Sequence, residues 1–214
     1  MSVPHRDSGD REPVFNSMPV VVLVLALAIL GAELAKVVVP PLGELIFQAS
    51  VLVHTPAGQV PPAQPLGQYL PFLLHFLVHF GWLHIIMNLV VLLSAGRLVA
   101  RVLGDSAQGV LLFLSFFGAC SVLGAVAQVV AEGSEPLILG GASTGVSGLI
   151  AAAGWVRGGY AGMLRLTLPW IGVNLVIGLL GVAFPIPIGW AAHIGGAVAG
   201  AGLFPVILRL ARPR

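Results

Sequence analysis

Long apolar runs alternate with short polar breaks along this chain. The runs are too long for strands and too uniform for the amphipathic helices of a soluble core. A helix needs about 20 apolar residues to cross a bilayer, and six stretches qualify, roughly 15–36, 82–100, 107–131, 140–156, 164–184 and 188–208. The last two come from one charge-free run, Leu166 to Leu208, divided at Phe184-Pro185-Ile186-Pro187. Proline cannot continue a helix and disfavours helix before it. Val37 to Gly81 is too proline-rich for a clean span and too apolar for a free loop, so an interfacial, half-embedded segment is expected there. The predicted organisation is an all-α membrane protein: a polar tail over 1–14, a six-helix domain over 15–209 with 37–81 as its first loop, and a short tail over 210–214.

Composition excludes a soluble domain. Apolar residues make up 57% of the chain and charged residues 8%, with a mean hydropathy of +1.01, where soluble domains carry about 25% charged residues. The net charge of +2 gives no reason to expect a nucleic-acid partner; the lipid bilayer is the expected one. Nothing in the sequence signals an oligomeric state. Cys120 stands alone, so no intrachain disulfide can form. The polar, mixed-charge stretch ahead of the first run differs from a cleavable signal, so that run is read as a retained span. Nine arginines to one lysine, with abundant Ala and Gly, point to a GC-rich bacterial genome and so to a bacterial cytoplasmic membrane.

Charge placement sets the orientation. Arg6, Arg11, Arg97, Arg101, Arg157, Arg165, Arg209, Arg212 and Arg214 all fall on one side of six spans, while Glu44, Glu132, Glu135 and Lys36 fall on the other. The positive-inside rule then makes both termini cytoplasmic.

Polar residues inside spans are expensive and suggest function. His84 and Asn88 occupy i and i+4 of span two, hence one helix face; Ser143 and Ser147 lie on span four, and His193 on span six. Those three spans enter from the non-cytoplasmic side, and each polar group lies within its first two turns. His84, Asn88, Ser143 and His193 are thus expected in one layer just below the outer surface. A serine needs a base to take its proton as it attacks, and His193 is the candidate. The Asn88 amide, a His84 N–H and the Ser143 backbone N–H could serve a developing oxyanion. No carboxylate lies at that depth, since Glu33 on span one is the only acid within a span, so a Ser–His dyad with its base oriented by packing is expected.

These residues resemble the rhomboid family of intramembrane serine proteases. His84-Ile85-Ile86-Met87-Asn88 matches the family's H-x-x-x-N, Gly141-Ala142-Ser143 running on to Gly148-Leu149 resembles its nucleophile segment, and Ala192-His193-Ile194-Gly195-Gly196 matches A-H-x-x-G. The three stand in the family's order on spans two, four and six. The resemblance implies a six-helix rhomboid fold that hydrolyses peptide bonds in or near transmembrane segments of other proteins, without metal or organic cofactor. It also implies Ser143 as nucleophile, His193 as base, His84 and Asn88 at the oxyanion, and His75 and His79 bracing the loop before span two. Two positions depart from the pattern: Leu70-Pro71 follow Gly67-Gln68-Tyr69 where a Trp-Arg pair is frequent, and Thr144 replaces the Gly after the serine.

A literal G-x-S-G occurs one turn later, at Gly145-Val146-Ser147-Gly148, which makes Ser147 the alternative nucleophile. The first amides of a helix lack intrahelical partners, so Ser143 can lend its own N–H to an oxyanion and Ser147 cannot. Gly141, Ser143, Gly145 and Ser147 also form a small-residue packing face, as do Gly196 and Gly200. Asn174 on span five is read as an interhelical hydrogen bonder. Zinc held by His75, His79 and His84 would need a neighbouring carboxylate or thiolate, and none stands beside them. A catalytically silent rhomboid-like protein that binds transmembrane segments is the alternative function.

Overall fold

The structure is a computed structural model that describes residues 18–56, 58–183 and 188–211. The tail 1–14, the start of the first expected span, the proline divide at 184–187 and residues 212–214 lie outside the described residues. In chain order the helices are α1 (Val20–Val38), α2 (Pro40–Ser50), α3 (Pro71–Leu74), α4 (Trp82–Val91), α5 (Arg97–Leu103), α6 (Ala107–Glu132), α7 (Ser143–Ala183) and α8 (Trp190–Ala211). A wider π-helical turn, Leu92–Gly96, joins α4 and α5 into one element. Among the described residues five elements are long and apolar enough to cross a membrane: α1, Trp82–Leu103, α6, α7 and α8. Their outer faces expose Val24, Leu27, Leu111, Val130, Leu175 and Leu179. A water-exposed surface would not tolerate so much contiguous apolar area; lipid covers it. The protein is an integral multi-pass membrane protein.

Two of the runs expected from sequence, 140–156 and 164–184, fall in α7. Gly158 (φ −168°, ψ 30°) and Gly159 (φ 57°, ψ −144°) break its helical course, and Gly159 needs the left-handed backbone that glycine supplies. A straight helix would separate Ser147 from Trp170 by about 34 Å at 1.5 Å per residue, yet Trp170 Nε1 donates to Ser147 Oγ over 2.9 Å. α7 is therefore a hairpin of two antiparallel arms. Small residues let the arms close beside the turn: a Cβ on Gly154 would lie 2.6 Å from Met163 Cα.

α8 packs into α7 and α6 at backbone distance. A Cβ on Gly200 would fall 2.5 Å from Gly148 Cα, one on Gly124 would fall 2.5 Å from the Ala192 carbonyl, and one on Gly196 would collide with the Thr144 carbonyl. Helices in lipid gain no hydrophobic drive toward one another, so close approach through small residues is what holds them. Below this layer Phe113, Phe116, Phe117 and Phe204 fill the core, with the Phe116 and Phe204 rings edge to face at 5.5 Å.

Residues 37–81, expected as an interfacial loop, contain regular structure. Pro40 and Pro41 open α2, where a missing N–H costs nothing, and Gly43 lets α2 sit against the backbone of Lys36. Leu52–His54 (β1) pairs antiparallel with Leu137–Leu139 (β2), Leu52 opposite Leu139. This short ribbon fastens the first loop to the segment that enters α7.

Candidate active site

β2 leads directly into Gly140-Gly141-Ala142 and then Ser143, the first residue of α7. Gly141 has φ 128°, and a Cβ there would lie 2.8 Å from His84 Nε2 and 3.4 Å from Ser143 Oγ. Glycine at this position is what lets the His84 imidazole lie against the backbone beside the serine. The same segment is held from the loop side. The Gly141 N–H donates to the His75 carbonyl at 2.9 Å, and the Ala142 N–H reaches His79 Nε2 at 3.4 Å.

His75 is fully buried. Its Nδ1 donates to the Phe72 carbonyl at 3.0 Å, and its Nε2 meets Thr144 Oγ1 at 2.8 Å. Burial pushes its pKa down to about 4, with the backbone bonds to Phe72 and Pro71 opposing part of that shift, so the ring is neutral and Nε2 accepts the threonine proton. Thr144, a departure from the family pattern, thus has a structural partner. His79 is pushed down to about 3, by burial first and then by neighbouring His84 and Lys36. Lys36 Nζ donates to the His79 carbonyl at 2.9 Å and pairs with Glu33 at 2.7 Å, tying α1 to the turn before α4. The rings of Phe80 and His79 flank His84 at 6.5 and 5.0 Å.

His193 Nε2 and Ser143 Oγ are 2.7 Å apart. Both side chains are half-buried, whereas Ser147 is fully enclosed. The Ser147 hydroxyl donates to the Ser143 carbonyl at 2.6 Å and accepts from Trp170. Asn88 is buried one turn along from His84, and its amide donates to the His84 carbonyl at 3.0 Å. Among the described residues no group of three or more His, Cys, Asp or Glu side chains is placed to hold a metal ion.

α4, α7, α8 and the loop before α4 thus meet around Ser143: His193 touches its hydroxyl, His84 lies beside Gly141, and His75 and His79 hold the flanking backbone. The family model of the Rhomboid domain matches residues 66–210, more than half of the chain and every residue of this layer. The chain belongs to the rhomboid family. No curated protein matches it. Rhomboid proteins are generally intramembrane serine proteases that act on transmembrane substrates.

Asn174, read from the sequence as an interhelical hydrogen bonder, meets its partner on α8, and Trp170 and Gln128 join this rhomboid's site without having been singled out in the sequence. His193 is held by a specific contact as well as by packing: Asn174 Oδ1, on the second arm of α7, lies 2.7 Å from His193 Nδ1. Trp170, one turn away, sets its ring 5.8 Å from the imidazole. Gln128 of α6 accepts from the Ala192 N–H at 2.8 Å, capping α8 beside the histidine. The available signal was the polar side chain itself, since an amide in an apolar run must find a partner; nothing local named which partner.

Proposed function

We propose that this rhomboid is an intramembrane serine endopeptidase that hydrolyses peptide bonds in or near transmembrane segments of other membrane proteins. The 2.7 Å contact between His193 Nε2 and Ser143 Oγ carries the reading. Ser143 Oγ attacks the scissile carbonyl as its proton passes to His193 Nε2. The tetrahedral oxyanion takes donors from the Ser143 N–H, free as the first amide of a helix, from His84 beside Gly141, and from Asn88. Collapse of this intermediate breaks the C–N bond, and His193 returns the proton to the departing amine. Water, activated by the same imidazole, then releases the acyl group from Ser143. His75 and His79 hold the loop on the 141–144 segment and take no part in bond making.

Ser143 rather than Ser147 is the nucleophile in this reading because Ser143 is accessible and meets the base. Ser147 spends its proton on a carbonyl and its lone pair on an indole. The two arms of α7, counted separately, bring the crossings to six. With the arginines on one side, both termini face the cytoplasm and the site opens to the non-cytoplasmic side of a bacterial cytoplasmic membrane. No cofactor is required.

Labelling with a serine-directed fluorophosphonate tests the assignment. Wild type is expected to label and Ser143→Ala to remain unlabelled; an unreactive, folded wild type would instead mark a silent rhomboid that only binds transmembrane segments.

A further inference from the structure

Asn174 is 1% exposed and makes two contacts that together fix its orientation. Its Nδ2 donates to the Trp170 carbonyl at 2.8 Å. A carbonyl oxygen can only accept, so the amide atom facing it must be the NH₂. The oxygen is therefore the atom turned to His193 Nδ1, 2.7 Å away. An amide oxygen only accepts, so Nδ1 must carry the imidazole proton. Nε2 is left with a lone pair, and it is Nε2 that faces Ser143 Oγ.

We propose that Asn174 is a positioning residue that fixes His193 as the Nδ1–H tautomer, making the site a Ser143–His193–Asn174 relay of hydrogen bonds instead of an unsupported dyad. This rests on the protease reading above. When the Ser143 proton moves to Nε2, the imidazolium keeps its Nδ1–H bonded to Asn174 Oδ1, whose carbonyl dipole opposes the new charge. A neutral amide does this without burying a carboxylate in an apolar layer, where an ion left without a partner is costly. Trp170 contributes twice: its carbonyl orients Asn174, and its ring limits how far the imidazole can tilt. The triad of soluble serine hydrolases uses a third group in the same position to hold the histidine's tautomer and orientation.

The test combines side-chain ¹⁵N NMR of histidine-labelled protein in detergent, with His193 assigned by its loss in His193→Ala, and single-turnover cleavage of a transmembrane substrate. Wild type is expected to show a protonated Nδ1 and a bare Nε2. Asn174→Leu keeps the branched outline, is bulkier and loses the acceptor; its expected outcome is a mixed tautomer and a cleavage rate lowered by about 10–100-fold, the range for losing a hydrogen bond to a charged group. Asn174→Asp keeps the acceptor and loses the donor to Trp170, and is expected to lie closer to wild type than to the Leu variant. A role limited to packing predicts the wild-type His193 tautomer in both variants whatever their rates, and that result overturns the proposal. A bare Nδ1 in wild type, or wild-type cleavage by Asn174→Leu, overturns the proposal. Should Asn174→Leu fail to fold, the wild-type tautomer alone decides. Nδ1–H without any cleavage or serine labelling would sink the protease reading and leave the Asn174–His193 pair standing.

Discussion

Trp170 gives its indole N–H to Ser147, closing the two arms of α7 on each other directly beneath Ser143. This makes Ser147 a structural tie. Ser143→Ala is expected to abolish cleavage of a model transmembrane substrate, while Ser147→Ala retains substantial activity and loses stability through the orphaned indole, at about 1–3 kcal/mol. Gel-based cleavage and thermal unfolding of both variants check this. An inactive, folded Ser147→Ala beside an active Ser143→Ala would move the site by one helical turn.

Gly200 faces the backbone of Gly148, which cannot yield as a flexible side chain can. Gly200→Ala is expected to push α8 away from α7, costing about 1–3 kcal/mol by overpacking and lowering activity, because α8 carries His193. Gly202, with open space around it, is the control: Gly202→Ala leaves both unchanged. Equal behaviour of the two variants in thermal unfolding would contradict this packing account.

Removing one oxyanion donor typically costs about 10²–10³ in rate. Asn88→Ala is expected to fall at or below that range, because His84 and the Ser143 amide remain. His193→Ala should be far more damaging, since it removes the proposed base. Single-turnover rates order the three proteins, and near wild-type cleavage by His193→Ala would end the Ser–His assignment.

The neutral His75 makes stability depend on pH. Its folded pKa of about 4 lies below the ordinary 6.5, so between those values the unfolded chain binds more protons. Stability is therefore fully present above about 6.5, declines as pH falls toward 4 and levels off below, at up to about 1.4 kcal/mol per pH unit. His79 adds in the same direction down to about 3. Thermal unfolding of His75→Gln against pH is expected to show a shallower acid loss than wild type; identical slopes would refute it.

Reporter fusions after Arg101 and after Gly159 are both expected to report cytoplasm. An external signal at either breaks the six-crossing topology.

The apolar runs were legible because hydropathy is written residue by residue, and α1, α6 and α8 lie close to where it puts them. His84, Ser143 and His193 could be matched in depth because orientation follows from where the arginines fall. The ribbon between Leu52–His54 and Leu137–Leu139 could not be read, since its pairing joins residues about 85 positions apart in short apolar stretches with no turn between them. Thr144 looked like a defect in a motif until His75 was beside it. Asn174 was visible as a polar group needing a partner, but its choice of His193 depends on how the α7 hairpin meets α8, which is a property of helix packing.

The place of His193 on α8 has a consequence for how the protein comes into being. The ribosome makes Ser143, Trp170 and Asn174 well before it makes Trp190–Ala211. Until α8 is inserted, Ser143 lacks its contact with His193, and Gly124 of α6 lacks the Ala192 and Gly196 backbone it receives in the finished fold. In the proposed protease, a chain whose α8 has not yet been inserted therefore lacks the Ser143–His193 pair and is expected not to cleave its neighbours.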